Sequence, residues 1–140
     1  MKIEFVDHPA DIGFRVWGSD LEEAYCNAGR ALCMLLATPR RKGRTSSCSL
    51  DVYAEDLLAL AYDFLEQLLI LYEVDDFLAS DVDVTIARRD EGYDLHARLE
   101  GATLDECQAE PNYDVKAITY HMMEVTRTNG QWRIQVIVDI

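Results

Sequence analysis

Apolar and polar positions follow clear periods along most of the chain. Residues 3–6 form a short apolar run that reads as a strand, and Asp7-His8-Pro9-Ala10-Asp11 interrupts it, since Pro9 has no N–H to give a ladder. The stretch Ile12-Gly13-Phe14-Arg15-Val16-Trp17 then alternates with the period of two expected of a strand, and Gly18 ends it. The period next changes to that of a helix. Leu21, Ala24, Tyr25, Ala28, Leu32, Leu35 and Leu36 line one face, Ser19 or Asp20 supplies a cap, and Glu22 and Glu23 sit in the first turn, where they suit the helix dipole. Pro39 and Gly43 mark the following loop, and residues 48–53 read as a strand.

The strongest helical pattern covers residues 55–73. It is apolar around most of its circumference, which predicts a central, buried helix. Its polar residues Asp56, Asp63, Glu66 and Gln67 fall on one stripe, which is either a narrow solvated face or a face for a partner or metal. Residues 82–88 and 93–100 read as paired strands joined at Asp90-Glu91-Gly92. Residues 104–110 fit a short helix or an irregular loop, closed by Pro111. Residues 115–127 read as a strand with a bulge near Met123, where the alternation breaks. Asn129-Gly130 predicts a type I′ hairpin turn, leading into a final strand over 132–138 and then Asp139-Ile140. This order predicts an α+β fold: a single domain over 1–140 with a largely antiparallel β-sheet and two main helices.

Charge narrows the range of functions. The 140 residues carry 26 acidic and 13 basic side chains, a net charge of −13. Tight nucleic-acid binding draws on Lys and Arg that neutralise phosphates, so direct, tight binding to RNA or DNA is not expected. The one basic run, Arg40-Arg41-Lys42-Gly43-Arg44, reads as a solvated loop, with contact to RNA or an acidic partner as the alternative. The start of the chain lacks the apolar stretch of a signal peptide, and no segment has the length and apolarity of a membrane span. Cys26, Cys33, Cys48 and Cys107 form no Cys-x-x-Cys pair and are read as reduced thiols in a cytoplasmic protein.

No phosphate-binding loop, dinucleotide fingerprint, His-Glu-x-x-His helix or nucleophile elbow is present in the sequence. What remains is a set of carboxylates in unusual places. Asp11 lies between two strands, Asp139 directly follows the apolar run 134–138, and the α-carboxylate of Ile140 stands one residue further on. If Asp11 lies near Ile140 in space, three anionic oxygen groups converge, and like charges so close are unfavourable unless a cation compensates. Such hard oxygen donors favour Ca²⁺, Mg²⁺ or Mn²⁺ over Zn²⁺. Lys116 and His121 lie in the strand-like segment, and an offset of five would put them on opposite faces. A salt bridge for Lys116 and a hydrogen-bonded surface position for His121 are as consistent with the pattern as a functional role.

Four stretches together resemble the archease family. Asp7-His8-Pro9-Ala10-Asp11-Ile12-Gly13 is similar to the family's opening His-Thr-Ala-Asp segment, with Pro9 where Thr is common. Asp56-Leu57-Leu58 and 64–71 resemble the second segment. Val115-Lys116-Ala117-Ile118-Thr119-Tyr120-His121 resembles its Lys-Ala-x-Thr-Tyr-His, and Val136-Ile137-Val138-Asp139-Ile140 its final residues. Residues 110–114 depart from the usual wording. The resemblance implies that Asp11, Asp139 and the main-chain carboxylate of Ile140 bind a divalent cation, most often Ca²⁺, with Mg²⁺ or Mn²⁺ as alternatives. It further implies that His8, Lys116 and His121 serve partner contact or activation. The partner it implies is an RtcB-type RNA ligase of tRNA splicing and RNA repair, whose guanylylation and multiple turnover the protein would promote without being an enzyme itself. A metal-dependent phosphate-ester hydrolase and a general chaperone or scaffold are the competing readings.

Overall fold

The computed structural model describes residues 2–7 and 10–140, with Asp7 described through its backbone alone. Met1, His8 and Pro9 lie outside the described residues, and so does the expectation attached to His8.

Strand β1 (Ile3–Asp7) turns back on β2 (Asp11–Gly18) in antiparallel register, with Asp7 opposite Ile12. Helix α1 (Leu21–Leu36) follows; of the two predicted caps, Asp20 takes the position and accepts from the Glu23 N–H at 2.8 Å, while Glu23 accepts from the Ser19 N–H at 2.9 Å. The first bond satisfies a donor that the first helical turn leaves open, and the second ties the residue before the cap to the helix. After the short β3 (Ala37–Thr38) and β4 (Ser46–Ala54), Asp56 caps α2 (Leu57–Asp75) by accepting from the Ala59 N–H. Strands β5 (Phe77–Arg89) and β6 (Gly92–Thr103) form a long hairpin whose two-residue turn is Asp90-Glu91, with Gly92 already paired to Arg89. β7 (Glu110–Pro111), β8 (Ala117–Ile118), β9 (Glu124–Thr128) and β10 (Gln131–Asp139) complete the chain.

The strands form two principal antiparallel sheets. One runs β1-β2-β10-β8 with β9 also on β10; the other is β4-β6-β5. Helix α1 packs against β2 and β10 of the first and β5 of the second, which explains why Leu32, Leu35 and Leu36 are buried. Each contributes about 2 kcal/mol through burial. The predicted fold class holds: α+β, antiparallel, with two helices around a shared core.

Two expectations are corrected. The central helix is α1, not α2: Leu58, Ile70 and Val74 of α2 are exposed, because sheets cover α1 from two sides and α2 packs mainly along one face. Residues 115–127 are not one strand with a bulge. They are two short strands separated by a tight turn in which Met122 takes a left-handed φ of 54° and the Met123 N–H donates to the Tyr120 carbonyl at 3.1 Å. The side chain of Tyr120 leaves the sheet and stacks on Tyr62 of α2, with centroids 4.3 Å apart, and this tertiary contact overrides local alternation. The opposite-face argument for Lys116 and His121 therefore does not apply. Residues 104–109 are irregular, with Glu110 already in β7, and Asn129-Gly130 makes the predicted primed turn, with φ of 54° and 77°.

Candidate metal centre

β2 and β10 lie side by side, and their register brings Asp139 directly opposite Asp11. On these strands Ile12, Phe14 and Val16 face the core together with Ile134, Val136 and Val138. Asp11 and Asp139 are out of phase with that set, so both point from the opposite face of the sheet. The Ile140 N–H donates to the Ala10 carbonyl at 3.3 Å, making that pair a hydrogen-bonded one. The neighbouring Asp11–Asp139 pair is then of the non-hydrogen-bonded type, in which Cα atoms approach to about 4.5 Å and side chains are closest.

Asp139 is exposed, whereas Asp11 is half-buried and engaged in a further interaction. The side chain of Ile140 packs against the core, which holds the last residue of the strand in place instead of letting it fray. The pairing of Gly13 with Ile137, one step further along the same face, depends on glycine: a Cβ there would stand 2.5 Å from Ile137 Cδ1 and 2.9 Å from the Val136 carbonyl oxygen. Gly13 thus lets Ile137 lie flat across the strand pair beside the two carboxylates.

A cation stands just before the third strand, β8. The Lys116 N–H donates to the Asp139 carbonyl at 2.8 Å, and Ala117 pairs with Asp139, so Lys116 begins at the same sheet end with an exposed side chain. His121 is exposed in the turn that follows, its N–H bonded to Thr119 Oγ1 at 3.2 Å. Thr119 Oγ1 in turn donates to the Ile137 carbonyl at 2.7 Å, tying that turn to β10.

Among the described residues no three His, Cys, Asp or Glu side chains come together as a metal-holding group. The register of β2 and β10 sets two carboxylates, Asp11 and Asp139, opposite each other, with Ile140 next in the chain. Oxygen groups of this kind suit a hard divalent cation and fit poorly with zinc or copper. The predicted stripe on α2 divides on inspection: Asp56 is a helix cap, while Asp63 and Glu66 surround the Tyr62–Tyr120 stack. Burial, with the negative potential of Asp63 and Glu66, pushes both phenols upward from their ordinary values. Sequence periodicity had no means of finding this cluster, since Tyr120 sits in the unforeseen turn.

A sequence profile for the "Archease protein family (MTH1598/TM1083)" matches residues 3–140. This chain belongs to the archease family. The "Protein archease" of Pyrococcus abyssi is 36% identical over 138 residues, covering 98% of this chain and 97% of that one. The archease fold is equally evident in structure. The solution structure of Methanobacterium thermoautotrophicum protein 1598 superposes with a TM-score of 0.86 at 32% identity, covering 99% of this chain and 98% of its own. A crystal structure from Thermotoga maritima, described as "an archease, possible chaperone", gives 0.59 at 18% identity over 96% of this chain and 94% of its own, and shows the shared fold alone. No helix among the described residues is long and apolar enough to cross a membrane.

Proposed function

We propose that this archease-family chain is a divalent-cation-binding accessory protein of an RtcB-type RNA ligase, acting in the cytoplasm in tRNA splicing and RNA repair. The observation that carries the reading is the register of β2 and β10, which sets Asp11 against Asp139 beside the main-chain carboxylate of Ile140. Bound Ca²⁺, or Mg²⁺ or Mn²⁺ in its place, would neutralise these groups. Ca²⁺ takes about six to eight oxygen ligands, so three carboxylates leave positions open for water or for groups of a partner.

A cation held at an exposed strand end suits delivery to, or bridging with, a partner's active site. Guanylylation and RNA joining would remain the ligase's chemistry, and this chain would promote guanylylation and repeated turnover. The acidic surface supports docking onto a basic RNA-binding enzyme, because opposite potentials steer encounter. Lys116, exposed beside Asp139, and His121, exposed in the turn tied to β10 through Thr119, are the contact residues proposed here, together with His8.

The test combines purified protein, ligase, GTP, metal and broken RNA, and counts rounds of joining. Wild type supports many rounds; Asp11→Ala and Asp139→Ala leave the ligase near a single round while keeping wild-type circular dichroism. Full activation by both variants rejects the reading. Equal suppression of aggregation in unrelated proteins, without effect on the ligase, would instead favour a chaperone role.

A further inference from the structure

The basic loop does not hang free. The Arg40 and Arg41 N–H groups both donate to the Cys107 carbonyl, at 3.0 and 3.1 Å, and Arg41 Nε donates to the Glu106 carbonyl at 2.9 Å. The loop is thereby fixed as the rim of a cavity of about 720 Å³, within the range typical of small-molecule sites. The lining contains Arg30, Arg40, Arg41 and Lys42 and no Asp or Glu, in a chain where acidic residues outnumber basic ones two to one. The remaining wall is largely apolar, with Met34, Leu78 and Ala102 among its members.

Two of the four cations are already matched: Arg30 lies 3.3 Å from Asp81, and Arg40 lies 3.3 Å from Glu110. Arg41 and Lys42 have no carboxylate partner among the described residues, which leaves two adjacent positive charges over an apolar floor. The overall negative charge does not cancel this, since at about 0.15 M salt a charge is screened beyond about 8 Å. A phosphate monoester carries between about 1.5 and 2 negative charges near neutral pH, and Arg presents a fork that matches its oxygens. A monocarboxylate would leave one of the two cations unmatched.

We infer that this cavity binds a small organic phosphate, with the phosphate on Arg41 and Lys42 and an apolar or aromatic body against Met34, Leu78 and Ala102. The site is separate from the Asp11–Asp139 pair and does not depend on the reading given for it. The rim is held in place before ligand arrives, so little ordering cost opposes binding.

The test titrates the full chain with adenosine monophosphate, adenosine and inorganic phosphate, by calorimetry and by the NMR signal of the Met34 methyl. Adenosine monophosphate should saturate one site, shift the Met34 signal, and bind at least about tenfold tighter than either part alone, since each supplies only one of the two contacts. Lys42→Ala, at an exposed position with no bond holding the rim, should weaken binding by about tenfold or more while retaining the wild-type melting temperature; Arg41→Glu/Lys42→Glu, which also removes the Arg41 bond to the Glu106 carbonyl, should weaken it further. Asp11→Ala should bind as wild type does. Absence of saturable binding at millimolar nucleotide, equal affinity for adenosine, or unchanged binding by Lys42→Ala together with an unshifted Met34 signal would each overturn the inference.

Discussion

Single residues at the β2–β10 end have effects whose sign follows from charge. Directly opposed like charges on a sheet destabilise by roughly 0.2–1 kcal/mol, so Asp139→Asn should raise the unfolding free energy of chelator-treated protein, read from urea denaturation, by an amount in that range. If the pair holds calcium as proposed, the same substitution should abolish a calcium-dependent stabilisation of about 2.7 kcal/mol, the value expected when free calcium is a hundredfold above its dissociation constant. A variant less stable than wild type in chelator would contradict the opposed pair. The thiols differ just as sharply. Burial pushes Cys33 up to about 12, and it also raises Cys26. Cys48 is the half-exposed member of the four free cysteines. Partial burial, with Asp75 nearby, raises Cys48 as well, so access and not acidity sets the order: a thiol reagent at neutral pH should modify Cys48 first, at a modest rate, and Cys33 only at the rate of unfolding, which mass spectrometry of timed samples reads directly. The opposed aspartates were not legible from spacing: strand ends separated by the whole chain meet only through tertiary register, and only the family likeness suggested it. The capping of α1 was local and could be read to within one residue, Ser19 or Asp20, of which Asp20 takes the position.

Elements carry the second set of consequences. Gly13 and Gly130 both sit in β-hairpin segments, yet substitution should affect them differently. Gly130 has a φ of 77° with nothing near a new Cβ, so Gly130→Ala costs only the left-handed strain of about 1–2 kcal/mol. At Gly13 the new Cβ would collide with Ile137 and the β10 backbone, an overpacking cost of roughly 1–3 kcal/mol. Gly13→Ala should weaken the fold and, if the carboxylate pair holds calcium as proposed, any rise in melting temperature that calcium brings; Gly130→Ala should lower only the baseline stability. The phenols set a limit at alkaline pH. Tyr25 donates to the Leu57 carbonyl at 2.6 Å, and burial raises its pKa, as it does those of Tyr62 and Tyr120. A group whose pKa is higher folded than unfolded stabilises fully below its unfolded value, and that stability drains away as pH rises past it. Denaturation midpoints should therefore hold up to about pH 10 and fall above it, and Tyr25→Phe should start lower and fall less. The turn at 119–123 shows why local pattern failed in this stretch: Met122 adopts a conformation unusual for its residue type because Tyr120 is drawn onto α2. The apolar exposure of Ile70 and Val74 was hidden for a related reason, since periodicity reports how apolar a helix is and not how many neighbours cover it.

For the whole molecule, the two sheets differ in how far apart in sequence their strands lie. β4, β5 and β6 come from one contiguous stretch, whereas the larger sheet joins β1 and β2 to β10 across the length of the chain. Contacts between distant segments close slowly, because loop entropy is lost before packing rewards it. During synthesis α1 and the β4-β6-β5 sheet have their full sequence available early, while β2 waits with an open edge for the strand that is made after all the others. Asp11 gains its counterpart only at that last step. On the proposed reading, a chain whose β10 has not yet docked on β2 would be compact around α1 and the β4-β6-β5 sheet and yet be unable to take the ion, so metal affinity would report on the docking of that one strand.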